Sequence, residues 1–239
     1  MSILSKIIDS FLPPRCINCG KVIPNDDGLC EDCFQEITFI SSPYCRKCGS
    51  PLYEETSSKK RLCGRCSGRK SSPYRLARSA FEYDEASKNM ILSFKFWDKT
   101  ENAKVLGKCL TIASKDILEE GADIIVPIPL HFTRLFKRRY NQSALLAREL
   151  SKLTGLKVDF ISVIRHKKTR PQVEFSGRAR VKNVRGAFSV KNIDKIKGQR
   201  IILIDDVMTT GSTLMECAKA LNKAGAKSVD FLTVARVTR

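Results

Sequence analysis

The stretch IILIDDVMTTGSTL, Ile201 to Leu214, runs from an unbroken aliphatic segment through two adjacent carboxylates into a turn of small residues around one glycine. Four consecutive aliphatic residues read as a strand buried on both faces, the pattern of a parallel sheet covered by helices. Asp205 and Asp206 then stand at its carboxyl end, and Thr209, Thr210, Gly211, Ser212 and Thr213 lead into a helix. Backbone N–H groups and hydroxyls can converge there on a phosphate at the positive end of the helix. Gly211 lets the backbone approach without a side-chain clash. Carboxylates repel phosphate, so the acids must serve hydrogen-bond donors, and sugar hydroxyls fit. A ribose 5-phosphate satisfies both halves of the motif. The Walker B strand of an ATPase would show the same acids, but GxxxxGK[ST] occurs nowhere. Acids and threonines also cap helices, yet a cap needs one such residue rather than five.

Working outward, strand-like and helix-like runs alternate: LARSAFEY, helices from Ala86 to Phe96 and from Asn102 to Leu118, DIIVPIPL, the helix NQSALLARELSKLTG, FISVI, GAFSV, RIILIDD, a helix from Ser212 to Lys223, and SVDFLTVAR. This order implies crossover units and a mostly parallel sheet. Ligands of such sheets bind beyond the carboxyl ends of the strands. Cys109 and Cys217 fall within helical patterns with apolar neighbours three and four residues away, as packing residues do. With only His131 and His166, neither in a nucleophile motif, a serine or cysteine hydrolase has little support.

The other eight cysteines form four CxxC pairs: Cys16/Cys19, Cys30/Cys33, Cys45/Cys48 and Cys63/Cys66. Two thiolates at that spacing grip one side of a tetrahedral ion, and two pairs complete one structural zinc site. Two zinc ions are expected. A disulfide framework belongs to oxidising compartments, and four redox CxxC copies would have no use. Sequential and cross-braced pairings both remain open.

The zinc module is expected over residues 1–70 and the α/β domain over 73–239, joined through the polar segment SGRKSSPY. Ile3, Leu4, Ile7, Ile8 and Phe11 recur at helical spacing before Pro13-Pro14, which predicts a short amphipathic helix. That start is a poor export signal, and no stretch of 18 apolar residues occurs, so a cytoplasmic protein without membrane insertion is expected. The formal charge is +18 over 239 residues, and residues 1–72, with 11 basic and 8 acidic side chains, leave +15 to the second domain. Such an excess favours polyanionic partners.

The sequence resembles the phosphoribosyltransferases of type I fold, and within them the ComF (competence protein F) family. Four segments carry the resemblance in order: the cysteine pairs, VPIPLHFTRLFKRRYNQSALLA, RHKKTRPQVEFSGRARVKNVRGAF and IILIDDVMTTGSTL. It implies a parallel twisted sheet flanked by helices, a mobile hood over the substrate, and a double zinc ribbon at the amino-terminal side. It further implies that Asp205 and Asp206 act at the ribose hydroxyls of phosphoribosyl pyrophosphate, with Thr209 to Thr213 around the 5-phosphate. Arg134, Lys137, Arg138 and Arg139 would belong to a pyrophosphate-binding loop, whose alternative reading is a solvated basic helix start. Arg139 departs from the family, which has glycine there. The hood would span the segment from Arg165 to Arg200, with 12 basic and 2 acidic residues, including Thr169, Gln172, Arg178, Arg180 and Asn183.

Two functions follow from the resemblance. One is a Mg²⁺-dependent phosphoribosyltransferase, in which the hood and the metal stabilise the departing pyrophosphate. The other is a DNA-handling protein of natural transformation, working beside other DNA-uptake proteins, whose basic surface holds single-stranded DNA. Phe132, Phe136, Tyr140, Phe175 and Phe188 stand near the basic stretches and would stack bases where exposed, with one or two expected at the surface.

Overall fold

The structure is a computed structural model that describes residues 13–24, 28–52, 62–69, 71–97, 99–168 and 183–238. The helix expected over residues 3–11 lies outside these, as do Thr169, Gln172, Phe175, Arg178 and Arg180.

The first helices among the described residues are two short ones, α1 (Glu31–Glu36) and α2 (Gly64–Ser67), each starting just after the first cysteine of a CxxC pair and containing the second. Strand β1 (Ala77–Glu82) follows, then α3 (Glu85–Phe96), α4 (Asn102–Ala113), α5 (Lys115–Glu119) and β2 (Ile124–Pro127). Next come α6 (Phe132–Arg138), α7 (Gln142–Thr154), β3 (Lys157–Val158), β4 (Val163–Arg165) and β5 (Phe188–Val190). The last elements are β6 (Arg200–Met208), α8 (Ser212–Lys223) and β7 (Ser228–Arg236).

Five strands form one sheet in the order β1-β7-β6-β2-β3, every neighbouring pair parallel. The aliphatic run of β6 is explained by its central place. Ile202 and Ile204 face a core shared with Phe94, Leu106, Leu146 and Leu150, whereas Ile201 and Leu203 face Leu214, Cys217 and Leu221 of α8. Alternate residues of one strand thus bury against different helical layers, so no polar position is left. Strands β4 and β5 pair antiparallel as a separate ribbon flanking residues 169–182, the middle of the expected hood.

Local signals set the ends. Asp84 and Ser87 form a capping box at α3, and Gly155 closes α7 in the left-handed region at φ 75°. The helix expected from Asn102 to Leu118 is divided at Ser114, whose hydroxyl donates to the Thr111 carbonyl. Cys217 is buried as expected, and Cys109 is half-buried against the first core. No helix among the described residues is long and apolar enough to cross a membrane.

The cysteines resolve into two sequential quartets, Cys16/Cys19/Cys30/Cys33 and Cys45/Cys48/Cys63/Cys66, each with all four Sγ atoms within 4.8 Å of one another. Across the pairs, Cys19 and Cys30 lie 3.7 Å apart, and Cys48 and Cys63 3.6 Å. A zinc–sulfur bond of about 2.3 Å gives a tetrahedral edge of roughly 3.8 Å, so the quartets fit that ion. All ten thiols are free of disulfides.

The Cys45/Cys48 knuckle and the segment leading to it dock directly on β1. Ala77 N–H donates to Lys47 O at 2.8 Å, Ile40 N–H to Ala80 O at 2.9 Å, and Glu82 N–H to Thr38 O at 2.9 Å. Gly49 has φ +66°, and a Cβ there would lie 2.4 Å from the Ala77 carbonyl oxygen, so contact and backbone both require glycine. Beneath it the buried Arg78 donates to Asp116 at 2.6 Å and to Arg46 O at 3.0 Å, and its guanidinium lies over the Tyr44 ring.

Purified protein is expected to carry two zinc ions, and stripping them under reducing conditions should raise hydrogen exchange at Ala77 and Glu82, whose N–H groups donate to the module. Unchanged protection in metal-free protein would show that the quartets do not hold the seam.

Candidate functional site

Strand β6 delivers both acids to the carboxyl edge of the sheet, beside Pro127 of β2, which pairs with Ile204. Asp205 accepts from the Ser143 hydroxyl at the start of α7 and from the Asp206 N–H, both at 3.0 Å. Asp206 is buried and forms an ion pair with Lys95, 3.2 Å away in the last turn of α3. Burial and the adjacent Asp206 carboxylate push the pKa of Asp205 up to about 7, against the opposing pull of Lys95, the Asp206 N–H and Ser143.

The turn after β6 wraps into α8. Gly211 has φ +71°, and a Cβ there would meet nothing closer than the Met208 sulfur at 3.6 Å. Within the protein, then, it is the left-handed backbone and not crowding that asks for glycine. The Thr210 and Ser212 hydroxyls lie 2.6 Å apart, and the Ser212 N–H, in the first turn of α8, approaches Thr210 Oγ1 at 3.4 Å. Thr209 and Thr213 are half-buried on either side. The turn thus gathers hydroxyls and first-turn N–H groups at one helix end, which is anion-binding geometry.

The basic segment after β2 differs from the expected loop. Residues Phe132–Arg138 form helix α6, whose start is capped by His131 Nδ1 accepting from Thr133 N–H at 3.3 Å, and no glycine or proline interrupts it. Arg139 ends it at φ +64°, the left-handed region where glycine is at ease and another residue is strained by about 1–2 kcal/mol. That position is the one where the family resemblance expects glycine.

The structure separates the cations of this segment. Arg134 is half-buried, and burial and Arg138 both lower its pKa. Arg138 lies over the Phe96 ring at 5.0 Å and donates to Gln142 at 3.2 Å, whereas Arg139 is exposed. Arg165, at the end of β4, is buried; burial and the charge of Arg134 bring its pKa down to about 10, against the attraction of Asp205. Lys95 and Arg165 therefore act directly on the acid pair, and Arg134 acts on Arg165. Lys95 joins the site without a motif of its own, and Ser143 and Arg165, which lie within the segments that carry the resemblance, join it in roles the sequence did not single out. Nothing local marks Lys95, since only the packing of α3 against the sheet brings it to Asp206. Arg178 and Arg180 lie outside the described residues.

The comparisons with known proteins agree with this organisation. The family model of the double zinc ribbon domain matches residues 7–67, and that of the phosphoribosyl transferase domain matches residues 140–238. Competence protein F of Haemophilus influenzae is 32% identical over 95% of this chain and 99% of its own length. The DNA utilization protein YhgH of Escherichia coli is 30% identical over 87% of this chain and 90% of its own. Competence protein ComFC of Bacillus subtilis is 27% identical over 88% and 85%. The domain so matched, with its parallel sheet, has the type I phosphoribosyltransferase fold.

The raised pKa of Asp205 has a sign that can be tested. Its contribution to stability is complete below the unfolded value of about 3.9 and is lost as pH rises through about 7. Asp205→Asn should therefore gain on the wild type in melting temperature between pH 5 and pH 8, by about 2–4 °C for each kcal/mol of relief. A difference that stays constant with pH would mean that Asp205 titrates as an ordinary carboxylate.

Proposed function

The chain belongs to the competence protein F family, and from that premise we propose that it works in the uptake and use of DNA, holding a phosphoribosyl group at the end of β6. One observation carries the reading: two carboxylates and a hydroxyl-lined helix start meet at a single strand end, beside Arg134 and Arg165. The acids suit ribose hydroxyls, the turn suits a 5-phosphate, and the two arginines suit further phosphate charge. Phosphoribosyl pyrophosphate has all three parts. Mg²⁺ would enter with the pyrophosphate, since among the described residues the cysteine quartets are the only metal-capable clusters of three or more such side chains. Its chemistry would be to neutralise pyrophosphate oxygens.

Single-stranded DNA is the proposed polyanion. Phe136 is 90% exposed on α6, and Phe132, Phe96 and Trp97 are also exposed, close to Arg138 and Arg139. Aromatic faces among cations are what unpaired bases stack upon. The second reading, transfer of the phosphoribosyl group, is favoured by Arg134 and Arg165 standing where a departing pyrophosphate would gather charge.

Replacing Asp205 and Asp206 together by Asn should weaken phosphoribosyl pyrophosphate binding about tenfold or more in calorimetry while circular dichroism stays intact. Unchanged affinity would reduce the acids to a structural role. For DNA, affinity should fall steeply with salt, and changing Arg178, Arg180, Lys182 and Arg185 to Gln should lower the salt slope by about one for each phosphate that is no longer neutralised. An unaltered slope would remove the hood segment from the DNA surface.

A further inference from the structure

Beside the phosphate turn lies a cavity of about 210 Å³ that the sugar-phosphate reading leaves unused. It opens at the seam between the second cysteine quartet and the sheet. The turn contributes Thr209 to Ser212, α8 contributes Met215 and Lys219, and the ribbon contributes Arg65 and Arg69. Tyr74 and Phe231 also line it, with their rings 4.5 Å apart at 31°. The volume is below the roughly 300 Å³ at which drug-sized pockets begin, so the space suits a ligand no larger than one nucleotide.

Cationic side chains predominate in the lining. Arg65, Arg69, Lys219 and Arg236 face one carboxylate, Glu216, which is already paired with Lys219 and accepts from the Gly186 N–H at 3.0 Å, and the sulfurs of Cys48 and Cys66, whose charge a zinc ion would share. Arg236 is only 5% exposed; one of its Nη groups donates to the Cys48 carbonyl, while its buried Nε has no hydrogen-bond partner. A buried guanidinium N–H without an acceptor is costly, and an anion beside it would satisfy it. Aromatic rings, thioethers and an excess of arginine in a space of this size match a nucleotide unit.

The position of the cavity limits what that nucleotide can be. Residues Thr209 to Ser212 line the cavity, whereas Asp205 and Asp206, three to four residues earlier on β6, do not, so a phosphate cradled by the turn would adjoin the cavity without filling the place of the sugar at the acid pair. A phosphomonoester would end at the cradle. A phosphodiester would continue through its second ester oxygen into the cavity. Beyond the cradle, however, the acids want hydroxyl donors, and an internal nucleotide of DNA has none, because its 3′-oxygen is esterified. Only the last nucleotide of a strand has a 5′-phosphodiester together with a free 3′-hydroxyl.

We propose that this site binds the 3′-end of a single-stranded polynucleotide: the terminal 3′-hydroxyl donates to Asp205 and Asp206, the last phosphodiester lies in the Thr209–Thr213 turn, and the preceding nucleotide fills the cavity lined by Tyr74, Met215, Arg65 and Arg236. The inference rests on the sugar-phosphate reading of the turn and adds the polarity of the strand. The zinc ribbon then supplies part of the binding surface, through Arg65 and Arg69.

The test compares labelled oligothymidylates of about ten nucleotides that differ only at their ends, with phosphoribosyl pyrophosphate and Mg²⁺ as the reference ligand. A 3′-phosphate puts negative charge against the acid pair and should weaken binding about tenfold or more, whereas a 5′-phosphate should leave it within about twofold. A single ribonucleotide at the 3′-end adds a second hydroxyl and should tighten binding. Met215→Trp, which fills the cavity, and separately Arg65→Glu with Arg69→Glu on the exposed ribbon, should weaken the 3′-hydroxyl oligonucleotide by about fivefold or more and leave phosphoribosyl pyrophosphate within about twofold. Equal affinity for 3′-hydroxyl and 3′-phosphate strands, or oligonucleotide binding indifferent to the ribbon variant, would overturn the proposal while leaving the sugar-phosphate reading in place. Failure of the wild type to bind phosphoribosyl pyrophosphate would overturn both.

Discussion

The hydrogen bonds between β1 and the cysteine ribbon are the constraint on which the rest of the molecule depends. β1 is an edge strand, yet all but one of its residues are buried, including Phe81 and Arg78. An uncovered edge of that composition would present open backbone groups and apolar surface to any other strand. The ribbon has the opposite deficiency. Its own buried cluster amounts to little more than Cys16, Ile23, Cys30 and Cys33, too small to hold a fold without metal. Each part completes the other: the sheet lacks a cover, and the ribbon lacks a core. The seam cavity exists because the two surfaces meet along β1 and close imperfectly near Arg236.

At the carboxyl end of the central strand β6, stability and the burial of charge pull against one another. Asp205 and Asp206 follow an aliphatic run that excludes water, and in that setting burial and the neighbouring Asp206 carboxylate oppose the ionisation of Asp205. Lys95, Ser143 and the Asp206 N–H limit the penalty without removing it. Arg165 is in the converse position, a cation lowered by burial and by Arg134 and attracted by Asp205. Perturbed groups of both signs in one place are more common at functional sites than in a purely structural core, in keeping with the proposed ligand.

How much of this is legible in the sequence follows from what each feature depends on. β6 can be read because burial on both faces leaves an unbroken run of four aliphatic residues, β7 because its apolar residues outnumber the polar ones, and Ser212 to Lys223 because a glycine and a hydroxyl residue mark the start of α8. The cysteine quartets follow from spacing, although only the fold decides for sequential pairing. The acid pair and phosphate turn are legible because they are contiguous. Lys95 and Arg165 are not, because each reaches Asp205 or Asp206 only through packing of distant elements. The resemblance suggests a loop after β2, but the alternative reading of its charge run, a basic helix start, is what local capping by His131 produces. The division of the long helix at Ser114 is hidden too, since a serine within a helical pattern is ambiguous until its hydroxyl finds the Thr111 carbonyl.

The pairing of β1 with β7 bears on how the chain matures during synthesis. Ser79 and Thr233, whose hydroxyls meet 2.7 Å apart in that pairing, are separated by 154 residues of chain. The ribbon leaves the ribosome early, but the strand it leans on has no neighbour until β7 emerges. Contacts of such sequence separation are slow to form. Arg236, at the end of β7, then donates to Cys48 and ties the late strand back to the early module. A nascent chain arrested before residue 228 would leave both the ribbon and β1 exposed to proteases, so only a chain translated through β7 can acquire the protected state.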